Sequence, residues 1–283
     1  MKPFPIAARG ARLLVTLLFG TSSAVHGPDA ASSCPRPGAG PPEGAAAAVT
    51  EPSECRAGRI LVLPGVYNTR FQLAGFVKRA RERLPGFDIE VRRWGTPLMP
   101  LRNLRAHERN LATARALAAE IAEWREAHPA DPFYLVGYSG GGGMAVLVVD
   151  ALPAGVEIDR LILIAPAISP AYPLERNVLP KVTGLVVSYA SERDLQVGWG
   201  TRTFGTIDRE RVDSAGAVGF TADDDKVVQW RWSPSARELG HRGSHVAYLG
   251  RRWQTAALMP ALAPDATAES LAAAWALPHE EDE

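Results

Sequence analysis

One stretch limits this chain more than any other. Phe133 to Val149 reads FYLVGYSGGGGMAVLVV. A mostly apolar run enters Gly137-Tyr138-Ser139-Gly140-Gly141, two more glycines follow, and a second apolar run begins. The first run predicts a buried strand and the second a helix. A chain passing from strand to helix through Gly-x-Ser-x-Gly must turn sharply, which holds the central serine in strained backbone with its hydroxyl exposed. Bulky residues two before and two after would collide, and Gly137 and Gly141 stand there. The N–H of Gly140 can face a developing oxyanion. The five-residue pattern alone arises by chance in a glycine-rich chain. Its placement between strand and helix is what makes Ser139 a candidate nucleophile.

The rest of the chain repeats the alternation. RILVLPG from Arg59, FDIEVRRW from Phe87, PFYLVG from Pro132, RLILIAPA from Arg160, VTGLVVSYA from Val182 and KVVQWRW from Lys226 read as strands. Gln72–Leu84, Leu104–His128, Gly140–Leu152 and Arg251–Leu262 read as helices. In the longest, Leu111, Ala114, Ala118 and Ile121 form the apolar stripe, and Pro129 ends it. Strand-helix alternation predicts an α/β class with a mostly parallel central sheet and helices on both faces. One domain over residues 56–275 accounts for it, followed by an acidic tail at 276–283.

The first 25 residues predict a signal peptide. Lys2, Arg9 and Arg12 form a basic start, Leu13–Val25 is apolar and short for a bilayer span, and Ser22-Ser23-Ala24 offers small residues for cleavage. Export to periplasm, envelope or medium is the expectation. Residues 26–55 are rich in Pro, Gly and Ala without period and predict a linker. The chain's two cysteines, Cys34 and Cys55, flank it. Export would permit a Cys34–Cys55 disulfide, and ASSC ending at Cys34 leaves a lipoprotein, and with it a membrane attachment, as the alternative. Thirty-one Lys and Arg balance thirty-one Asp and Glu, so nothing suggests nucleic-acid binding. The prevalence of Arg over Lys reads as base composition.

With GYSGG in that strand-helix order, the chain resembles the α/β-hydrolase fold family over about residues 59–255, and small bacterial serine hydrolases of the esterase and lipase kind most. The resemblance implies a Ser–acid–His triad in chain order, a small-molecule acyl substrate and no cofactor or metal. In LVLPGVYN it implies a second oxyanion donor after the first strand, Val66 or its neighbour Tyr67, beside Gly140. In VVSYASERDLQVGWG it places the acid past the strand end, with Asp194, followed by apolar Leu195 and Val197, matching best and Glu192 as the alternative. In ELGHRGSHVAYLGRRW it places the base, at His245 or at His241, with His245 matching the family pattern best. Tyr67, Tyr138 and Trp199 are the candidates for lining the substrate site. The short connection after LILIAPAIS implies a small lid domain or none, while the long segment from Val197 to Asp225 reads either as an ordered flap or as a mobile loop. A non-catalytic binding protein on the same scaffold, and an acyl transferase or peptidase with the same triad, are the competing expectations.

Overall fold

The computed structural model of the protein describes residues 58–276. The signal, linker, cysteine and tail expectations therefore lie outside the described residues, apart from Ala276. Six strands, β1 (Gly58–Leu63), β2 (Phe87–Val91), β3 (Phe133–Tyr138), β4 (Arg160–Ile164), β5 (Val186–Ala190) and β6 (Val227–Arg231), form one sheet in the order β2-β1-β3-β4-β5-β6. Every pairing is parallel. All strand C-termini therefore lie along one edge. β1 is flanked by β2 and β3, so the chain reverses its direction of travel across the sheet between β1 and β3. A crevice at such a switch is where parallel sheets bind ligands.

Alternation along the strands builds two cores. Ile60 and Val62 face one side, packed with Phe76 and Ala80 of α1 (Ala74–Arg83) and with Trp253, Leu258 and Leu262 of the C-terminal segment. Leu61 and Leu63 face the other, with Ala114, Ala118 and Ile121 of α3 (His107–Ala127) and Met144 and Leu147 of α4 (Gly140–Asp150). Each fully buried Ile or Leu contributes roughly 2 kcal/mol. A strand buried on both faces is apolar wherever no partner satisfies a polar group, which is why β4 is apolar after Arg160, whose guanidinium donates to the Ala261 and Ala263 carbonyls.

Two expected helices are broken: the one over Arg251–Leu262 is an α turn at Arg251–Trp253, a π turn at Gln254–Leu258 and a 3₁₀ turn at Pro260–Leu262. The helix expected over Leu104–His128 is two helices, α2 (Pro100–Arg105) and α3, broken at Ala106. The Asn103 carbonyl at the break accepts from the side chain of Asn110 at 2.8 Å. The segment from Val197 to Asp225 is ordered, with short helices at Trp199–Phe204 and Ala215–Val218. It is pinned across the strand ends by Ile207 N–H to the Ala167 carbonyl at 3.0 Å and Ala215 N–H to the Ile168 carbonyl at 2.8 Å, with Ile207 and Ala215 fully buried. A further helix, Ala268–Trp275, is capped by Thr267 and Ser270 and follows the last helix legible in the sequence.

Candidate active site

Ser139 follows β3 with φ 57° and ψ −123°, a region that non-glycine residues avoid at a cost on the order of 1–3 kcal/mol. Its own backbone holds it there. Its N–H donates to the Ile164 carbonyl at 2.8 Å, and its carbonyl accepts from Gly142 at 2.9 Å and Ala167 at 3.0 Å. The flanking glycines are required by contact. A Cβ on Gly137 would lie 2.6 Å from Gly142 Cα, and one on Gly141 would meet the carbonyl oxygens of Leu63 and Pro64. The elbow thus packs directly against the end of β1, at the topological switch.

That contact brings the β1 loop to the serine. A Cβ on Gly65 would touch Ser139 Cβ at 3.4 Å, and one on Gly140 would lie 3.4 Å from the Val66 nitrogen. The Gly65 carbonyl accepts from Asn68 N–H at 2.8 Å. Because the peptide is planar and trans, that bond fixes the Val66 N–H in the opposite direction. Gly140, as the first residue of α4, has an N–H with no intrahelical acceptor. Two backbone donors therefore stand side by side next to Ser139.

Three residues outside the motif set this loop, and sequence reasoning missed them. Asn68, with φ 52°, accepts through Oδ1 from Trp94 N–H at 2.8 Å and Gly95 N–H at 3.1 Å. Asn103 donates through Nδ2 to the carbonyls of Val66 at 2.7 Å and Thr96 at 2.6 Å, and accepts from Thr96 N–H at 2.9 Å. Trp94 Nε1 donates to the Pro64 carbonyl at 2.7 Å. Both asparagines are fully buried. Asn103 lies on α2 and Asn110 on α3, so no single helical face in the sequence marks them.

Past β5, Asp194 is 1 % exposed and its Oδ2 lies 2.6 Å from Nδ1 of His245. Its other oxygen accepts from Gln196 N–H at 3.0 Å, which fixes the carboxylate's orientation. Ser191 Oγ donates to the Gly243 carbonyl at 2.8 Å, tying the Asp194 turn to the His245 turn. Glu192 is exposed. His245 opens a short 3₁₀ turn after β6. The ring of Tyr138, the residue before Ser139, stacks on it at 4.9 Å, and the Tyr138 hydroxyl donates to the His245 carbonyl at 3.1 Å. Tyr138 is therefore a buried support for His245. Burial, with the Asp194 charge adding to it, holds its hydroxyl well above the usual tyrosine range. Tyr67 and Trp199 are exposed.

His241 lies elsewhere. It is fully buried among the rings of Trp230, Tyr248 and Trp253, at 5.4, 4.3 and 5.3 Å. Its Nδ1 accepts from Gly243 N–H at 3.2 Å, so the proton of the neutral ring sits on Nε2. Burial pushes its pKa down to about 4, against a weaker upward pull from Asp194. Two clefts of about 580 and 450 Å³, one beside Arg79 and Met259 and one beside Arg70 and Val91, are not lined by Ser139, Asp194 or His245.

An all-parallel sheet, a strained serine at the β3–α4 turn and an acid and a histidine following β5 and β6 define the architecture. The chain has the α/β-hydrolase fold. No family model matches it, and no curated protein is detectably similar. Solved structures of esterases are similar to it at a distance. Esterase PE8 is 18% identical, covering 63% of this chain and 85% of that one, with a TM-score of 0.41. An acetylxylan esterase is 13% identical, covering 74% and 97%, with a TM-score of 0.44. A carboxylesterase from Mesorhizobium loti is 18% identical, covering 70% and 88%, with a TM-score of 0.38.

Proposed function

We propose that the protein is an exported serine hydrolase that cleaves ester bonds through Ser139, His245 and Asp194. Two observations carry this reading: the strained Ser139, and the buried Asp194–His245 pair at 2.6 Å whose histidine stacks on Tyr138, the residue before that serine. In this reading Asp194 holds His245 with its Nδ1 proton directed at the carboxylate, leaving Nε2 to accept the Ser139 proton. Oγ bonds to the acyl carbon, and the carbonyl oxygen takes up negative charge between the Val66 and Gly140 N–H groups. Collapse breaks the ester C–O bond, and the leaving alkoxide takes the proton from His245. Water then attacks the acyl-enzyme, passing a proton to His245. A second collapse releases the carboxylic acid and returns the proton to Ser139.

Intact-mass measurement after treatment with a fluorophosphonate tests the nucleophile. One adduct on the folded chain, absent from Ser139→Ala, is the expected result. A folded chain that takes no adduct refutes the reading. Export is tested separately by N-terminal mass mapping from the native host, where an intact Met1 in the cytoplasm would overturn it.

A further inference from the structure

Nine large apolar side chains among the described residues are exposed, and every one lies in a connection leaving the C-terminal edge of the sheet. Tyr67 and Phe71 follow β1, Leu98, Met99 and Leu101 follow β2, Leu195, Trp199 and Val212 follow β5, and Val246 follows β6. The connections meet. Leu98 N–H donates to the Tyr67 carbonyl at 2.9 Å. α2, which carries Leu101, contacts the Trp199–Phe204 helix, where Arg105 lies over the Phe204 ring at 5.4 Å. Leu195 and Val246 each follow a member of the Asp194–His245 pair. The strand and helix surfaces elsewhere expose no such side chain among the described residues. An apolar surface confined to one face marks a contact with something other than water.

The charge on the same face narrows the partner. The chain as a whole is balanced. Yet residues 67–71, 98–105, 192–212 and 242–246 expose eight arginines, among them Arg70, Arg102, Arg193 and Arg242, against two exposed acids, Glu192 and Glu210. Of the eight, Arg202 is paired with Asp213. Exposed apolar side chains interleaved with arginine fit a surface that is apolar within and anionic at its boundary.

We propose that this face docks on an anionic lipid surface and so presents Ser139 to acyl esters lodged in it. The consequence for substrate rests on the hydrolase reading, whereas the docking does not. A second copy of the chain would have to bring arginine against arginine over Ser139, which charge disfavours.

The full chain carrying Ser139→Ala, which cannot turn over a lipid, is floated with vesicles of phosphatidylcholine containing phosphatidylglycerol and with vesicles of phosphatidylcholine alone. It should float with the first, and binding should weaken at least about tenfold in high salt. Leu98→Asp with Leu101→Asp should lower vesicle affinity on the order of a hundredfold. In the Ser139 background the same pair should leave turnover of a short soluble ester unchanged. Arg102→Glu, which alters no buried group, should weaken binding independently of the apolar change. Absence of binding to either vesicle, or equal binding to both, overturns the proposal. So does a dimer in solution that the same substitutions dissociate. If vesicles bind but no fluorophosphonate adduct forms, the docking stands and the hydrolase reading falls.

Discussion

Lowering the pH should destabilise this protein through His241, and the size of the effect follows from its surroundings. In the folded chain His241 titrates at about 4, whereas an unfolded histidine titrates near 6.5. The cause is burial among three aromatic rings, which penalises the imidazolium, and Asp194 opposes it only in part. The folded pKa lies below the unfolded one, so as pH falls the unfolded chain takes the proton first. The stability this group supplies is complete above about 6.5, declines between about 6.5 and 4, and changes no further below that. At about 1.36 kcal/mol per unit, the gap is worth about 3 kcal/mol, of which about 2.5 kcal/mol is lost between pH 8 and pH 4.5. His241→Asn is the control. Its Oδ1 can stand where Nδ1 stands and accept from Gly243 N–H, but it does not titrate. Denaturant unfolding of both chains at several pH values is the assay. The native chain should lose about 2.5 kcal/mol more than His241→Asn over that range. Parallel pH profiles for the two chains would refute the argument, because the burial of a neutral ring would then have no energetic consequence.

Asn103→Ala leaves the Val66 and Thr96 carbonyls and the Thr96 N–H without their partner; it should lower kcat on a soluble ester on the order of 10- to 100-fold with a smaller change in KM, measured by steady-state kinetics. Gly141→Ala drives a Cβ into the Leu63 and Pro64 carbonyls and should destabilise the fold by more than about 3 kcal/mol, read by thermal unfolding. Asp194→Asn should reduce turnover on the order of 10⁴-fold, whereas Glu192→Gln, at an exposed position, should remain within about twofold of the native chain.

The alternation of apolar runs was enough to reveal an α/β chain, and the glycines around Ser139 were enough to reveal its turn. Both are local consequences of covalent geometry and burial. A strand buried on both faces is apolar wherever no partner satisfies a polar group, and a turn with no room for Cβ has to carry glycine. What the sequence left open were choices among neighbours in the chain. His241 and His245 are the same residue type four positions apart, as Glu192 and Asp194 are two acids two apart. Folding puts one histidine in an aromatic box and the other against a carboxylate, because β5 and β6 are adjacent and the Ser191–Gly243 bond ties their turns together. Asn68 and Asn103 could not be read as parts of the site at all. Their partners in the other connection lie 26 to 37 residues away, and only the close approach of the β1 and β2 connections turns two buried amides into the frame of the Val66 loop.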